Sequence, residues 1–92
     1  MPDLLDILTV TPTADARLHL TFSDGSAGDF DASWLEDKSG SLLQPLASPA
    51  EFVRAFVDGG GLCWPHGLEL SARTVQDWLR SRSRLTDAHR AA

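Results

Sequence analysis

Arg17-Leu18-His19-Leu20-Thr21-Phe22 alternates polar and apolar residues without a break, the period of a strand with one buried and one wet side. Leu18, Leu20 and Phe22 fall on one face; Arg17, His19 and Thr21 fall on the other. Ser23-Asp24-Gly25-Ser26 comes next, and an Asp-Gly pair between extended segments predicts a type I′ turn with positive φ at both central residues. Residues 27–32 supply the return strand, Phe30 facing opposite to Asp29 and Asp31. Upstream, Leu4-Leu5-Asp6-Ile7-Leu8-Thr9-Val10 reads as a further strand that stops at Thr11-Pro12, where proline removes a ladder donor.

The second half mixes signals. Ser33-Trp34-Leu35-Glu36 reads as a single helical turn before the polar loop Asp37-Lys38-Ser39-Gly40, which Leu42, Leu43 and Leu46 pin to the core. Ser48-Pro49-Ala50-Glu51 resembles a capping box with proline at the first helical position. Residues 52–57 fit a helical stripe and a strand alternation alike. The turn Asp58-Gly59-Gly60-Gly61 and the apolar Leu62-Cys63-Trp64 favour a hairpin of 53–57 with 61–64, so we read a short helix, then a strand. Pro65 pushes Trp64 toward extended geometry, and His66-Gly67 completes a turn. Ser71 is a good N-cap for a closing helix whose Val75, Trp78 and Leu79 share one face.

These elements predict an α+β fold: a small antiparallel sheet of four to five strands with one short helix and one C-terminal helix packed on one face. At 92 residues and 42% hydrophobic the chain has room for one domain, placed at 1–80. From Arg80 onward apolar anchors are few, so 81–92 reads as a basic tail that frays after about residue 83. Cys63 is the only cysteine, which excludes an intrachain disulfide. No secretory start follows Met1 and no apolar run reaches the roughly 20 residues of a membrane span, so we expect no membrane and a cytoplasmic location.

Charge narrows the partners. A net charge of −5 argues against a dedicated nucleic-acid binder, which needs surplus Lys and Arg. Residues 1–37 hold eight acidic groups against Arg17, whereas residues 71–92 carry five Arg against Asp77 and Asp87. Such opposed ends suit a solvated acidic face with arginines at a helix C-terminus, or steering toward a partner.

Leu20-Thr21-Phe22-Ser23-Asp24-Gly25-Ser26, Phe30-Asp31, Pro45-Leu46, Phe52 and Cys63-Trp64-Pro65-His66-Gly67-Leu68-Glu69-Leu70 match, in order and spacing, a bacterial family. Over roughly residues 5–79 the chain resembles the domain of unknown function 2442 (DUF2442). The resemblance implies a small α+β domain with an antiparallel sheet. It also implies a short protein, sometimes fused to a DNA-binding helix-turn-helix and sometimes encoded beside another small protein in a toxin-antitoxin-like arrangement. The stretch after Glu69-Leu70 is too short for a three-helix DNA-binding unit. No catalytic residues carry over.

The residues themselves offer little preassembled chemistry. Cys63 and His66 have the spacing of a metal half-site, but no second pair completes four zinc ligands, and Cys63 reads as a packing residue between Leu62 and Trp64. Asp29 and Asp31 share a strand face, a geometry for a hard cation or coupled carboxylates, although Asp24 is explained by its turn and Asp29 by exposure. No phosphate loop, dinucleotide fingerprint or nucleophile elbow occurs. We therefore expect no catalytic residues, cofactor or metal, and a non-catalytic protein-protein interaction module, antitoxin-like, that meets a protein partner or itself. Its candidate contact residues are Trp34, Trp64, Arg80, Arg82 and Arg84. The alternatives are a small metal-dependent hydrolase using Asp29, Asp31, Cys63 or His66, and an accessory nucleic-acid contact through the basic tail.

Overall fold

The computed structural model describes residues 5–14, 16–37, 40 and 43–86. Strand β1 (Ile7–Ala14) pairs antiparallel with β2 (Arg17–Phe22), which pairs antiparallel with β3 (Ala27–Asp31). The single sheet expected from the sequence is instead two. β4 (Phe56–Asp58), β5 (Gly61–Cys63) and β6 (Glu69–Leu70) form a second three-stranded antiparallel sheet. Between the sheets run two 3-10 turns, Ala32–Asp37 and Gln44–Ala47, and the single-turn helix α1 (Pro49–Phe52); helix α2 (Ala72–Ser81) closes the fold. Leu4, Lys38, Ser39, Leu42 and the tail beyond residue 86 lie outside the described residues.

Pro12 does not end β1, and the ladder shows why. Ala27 uses both its N–H and its carbonyl on Thr86, away from β2, so its neighbour Thr21 must direct its own groups to β1. Thr9 and Thr11, opposite Thr21 and His19, then point inward, and Pro12, opposite Leu18, points its nitrogen outward. A proline on an edge strand with no donor to contribute is tolerated there. The β2–β3 turn also differs from expectation. Gly25 has φ of +90° and Asp24 does not take positive φ, while Gly25 N–H bonds the Phe22 carbonyl at 3.0 Å and Phe22 N–H bonds the Ser26 carbonyl at 2.9 Å. This is a three-residue loop closed by a left-handed glycine, one residue longer than a type I′ link.

Ser71 caps α2 as expected, its hydroxyl accepting from Thr74 N–H at 3.1 Å. Ser48 makes no such bond, and Glu51 turns instead to Arg54 at 3.1 Å, so the capping box does not form on a one-turn helix. The core gathers around Phe30, which contacts Trp34, Phe52 and Trp78 at centroid distances of 5.6, 5.9 and 5.2 Å. Phe52 in turn meets Trp64 at 5.9 Å, carrying the aromatic contact into the second sheet. Leu18, Leu20, Phe22, Val75 and Leu79 complete the packing of α2 on the first sheet. Residues 84–86, expected from the sequence to begin a loose end, lie along β3: Thr86 exchanges backbone bonds of 2.9 and 2.8 Å with Ala27. The α2 chain reverses into that segment at Ser83, whose φ of +56° costs a side-chain-bearing residue about 1 kcal/mol.

The buried Trp64 indole donates to the Phe52 carbonyl at 2.9 Å, tying the second sheet to α1. Trp64→Phe keeps most of the ring but removes that donor, and is expected to lower unfolding free energy by about 2 kcal/mol in urea titrations.

Candidate functional site

Because β2 and β3 bury alternate residues, their remaining side chains assemble one polar face, and the register decides which of them meet. His19 stands opposite Asp29, and its Nδ1 lies 2.8 Å from Asp29 Oδ1. Both remain about half exposed, at 44% and 46% of their side-chain surface. Thr9 and Thr21 join hydroxyls at 2.6 Å one step along. Arg17 lies opposite Asp31, its Nη2 at 3.9 Å from Asp31 Oδ2.

The segment after α2 borders this face. Arg84 reaches over the β3 edge to donate to Asp31 Oδ2, while its guanidinium lies 5.5 Å above the Trp78 ring. Gly28 makes the passage possible: a Cβ there would stand 2.9 Å from the Arg84 carbonyl oxygen and 3.0 Å from Leu79 Cδ1. Together Arg17, His19, Asp29, Arg84 and Thr86 line a groove of about 400 Å³ over Ala27 and Gly28.

Two carboxylates nearby are occupied in holding the fold. Asp31 is only 13% exposed and accepts from the Ser33 amide at 3.0 Å and from the Ser33 hydroxyl, besides Arg84. Burial opposes its charge, but the Ser33 and Arg84 bonds outweigh burial and hold the carboxyl below its ordinary pKa. Asp24 accepts from Ser26 N–H at 2.9 Å, Ser26 Oγ at 2.6 Å and Gln76 Nε2 at 2.9 Å. Here too desolvation is overcome by the bonds of Ser26 and Gln76 and the charge of Arg80, and the carboxyl is held low. Asp29 and Asp31 share a face as expected, yet each is engaged with a different partner rather than with the other.

Not all of the contact residues expected from sequence reach the surface. Trp34 and Trp64 are buried, at 6% and 2% exposure, so neither ring offers a surface to another molecule. Arg80 pairs with Asp77 at 3.6 Å, Arg82 lies 5.3 Å over Trp78, and Arg84 is held by Asp31 and Trp78. Their spacing of two does not produce a free basic stripe, since Arg80 is on the helix and Arg84 lies beyond the reversal. Cys63 is buried, and burial, with the charges of Glu69 and Asp58, pushes its thiol up and away from a reactive thiolate. Among the described residues no three His, Cys, Asp or Glu side chains gather as metal ligands, so Asp29, Asp31, Cys63 and His66 form no such set. Sequence reading missed His19 and Arg17; the strict alternation that placed them on one wet face was the available signal.

The chain matches the family described as Protein of unknown function (DUF2442) over residues 7–81, and it belongs to that family. No curated protein and no solved structure matches it. No helix among the described residues is long and apolar enough to cross a membrane.

The depressed carboxyls make stability depend on acid. The unfolded chain takes up protons at Asp24 and Asp31 more readily than the folded one, so their contribution is complete above about pH 4 and disappears as pH falls through the lower folded values. Urea midpoints measured from pH 7 down to pH 2 are expected to drop steeply for the wild type and less steeply for Asp24→Asn and Asp31→Asn. At pH 7 the Asp31→Asn protein is expected to be less stable by about 1–2 kcal/mol.

Proposed function

We propose that this protein is a non-catalytic module that binds another protein across the polar face of its first sheet. The observation that supports this most directly is the groove in which the His19–Asp29 pair stays half exposed while Asp24 and Asp31 are saturated by internal bonds. Groups that hold the fold are satisfied, and the groups left reachable are a donor-acceptor pair beside two arginines. Such mixed charges select and orient a partner more than they supply affinity, which suits recognition of one polar protein surface. Pairing with a second small protein in a toxin-antitoxin-like arrangement is the form this reading takes.

The same His19–Asp29 contact also favours, less directly, a hydrolase in which the carboxylate orients an imidazole base. The two readings separate experimentally. Affinity capture from the native lysate is expected to retain a stoichiometric protein with wild type and to lose it with a folded His19→Ala/Asp29→Ala variant. Capture of no stoichiometric protein by wild type counts against the module. Turnover in a hydrolase panel that disappears in the same variant favours the enzyme.

A further inference from the structure

Arg17 borders the groove with its donors unspent. Its guanidinium is half exposed, and the carboxylate opposite it, Asp31, stands with Oδ2 at 3.9 Å, beyond hydrogen-bond length. Among the described residues none of the five N–H groups of that side chain meets an acceptor. Asp31 is committed elsewhere: Oδ1 takes the Ser33 amide and hydroxyl, and Oδ2 takes Arg84. At this end of the groove two guanidiniums therefore share one carboxylate, an excess of one positive charge. Asp29, paired with His19 two residues along the same face, supplies the next negative charge.

We infer that Arg17 is the anchor for an acidic side chain of the protein partner, an Asp or Glu carboxylate that enters the groove and accepts two parallel N–H bonds from the guanidinium. This rests on the binding function proposed above and names the chemistry that the partner brings to this face. Any protein that covers the face excludes solvent from Arg17, and a charged fork left there without an acceptor opposes docking. A planar carboxylate satisfies it edge to edge, in the bidentate geometry that a guanidinium presents and an ammonium does not. Phosphate fits the same fork, but its second charge is set against Asp29 and Asp31, so the face selects the singly charged group. The groove, about 400 Å³ with only Ala27 and Gly28 beneath it, has room for such a side chain.

The test is an NMR titration at low salt that follows the arginine side-chain N–H resonances. The probes are an end-blocked tripeptide with glutamate between two glycines, its glutamine counterpart, and inorganic phosphate. The Arg17 resonance is expected to saturate with the glutamate peptide at an affinity on the order of 10 mM, and about tenfold more weakly with the glutamine peptide. Arg54, equally exposed but already bonded to Glu51, is expected to drift without saturating. Arg17→Lys keeps the charge without the fork and is expected to bind about fivefold more weakly, read at the Ala27 and Gly28 amides; Arg17→Met is expected not to bind. An Arg17 resonance that moves no more than that of Arg54, equal binding of the glutamine peptide, or tighter binding of phosphate overturns the inference. Its failure is distinguishable from failure of the binding module. A stoichiometric protein captured equally by wild type and R17M leaves the module standing and overturns the carboxylate anchor, whereas saturation of Arg17 with no protein captured overturns the module.

Discussion

Phe30 is the residue on which both halves of this small fold converge. Its ring meets Trp34 from the connection that leaves its own strand, Phe52 from α1 and Trp78 from α2, so one side chain touches three separate parts of the chain. Aromatic contacts of this kind add about 0.5–1.5 kcal/mol each beyond the area they bury, a large share of the net stability available to a domain of this size. Trp64, directly after β5, brings the second sheet to the same cluster through Phe52, and Leu62 of β5 joins the shared core. Two three-stranded sheets, each too small to form a core alone, thereby share one.

Much of the first sheet was legible because alternation is a geometric demand. Leu18, Leu20, Phe22 and Phe30 are buried where the period of two puts them. The loop was not legible from its Asp-Gly pair alone, and its length controls everything downstream. A two-residue link would set Phe30 opposite His19, placing a buried ring and a wet imidazole on one face; the three-residue loop sets Phe30 opposite Leu18 and His19 opposite Asp29. The burial pattern of β3 therefore carried the information needed to reject the shorter turn. The division into two sheets was less accessible, since strands of two and three residues such as β6 and β4 have too few positions to show a period.

The candidate site was harder to read than the fold. Tryptophans and arginines were the natural candidates by residue type, but Trp34 and Trp64 answer to the core, and the arginines answer to Trp78, Asp77 and Asp31. The groove depends on two placements that local sequence does not display. One is the register that pairs His19 with Asp29. The other is the return of residues 84–86 to an edge more than fifty positions earlier in the chain. A polar stretch with a single leucine gives little sign that it will dock, because its attachment rests on backbone bonds and a missing Cβ at Gly28 rather than on apolar mass.

The link between Gln76 and the β2–β3 loop has a different kind of consequence. Gln76 is almost wholly buried on the inner face of α2, and its amide donates to both Asp24 and Ser26. Sliding the helix by one turn, about 5.4 Å, preserves greasy contacts of similar worth but strands an amide in the dark and leaves a carboxylate short of a donor. Apolar surfaces alone tolerate many misdocked alignments; one polar tooth among them removes all but a single notch from the folding landscape.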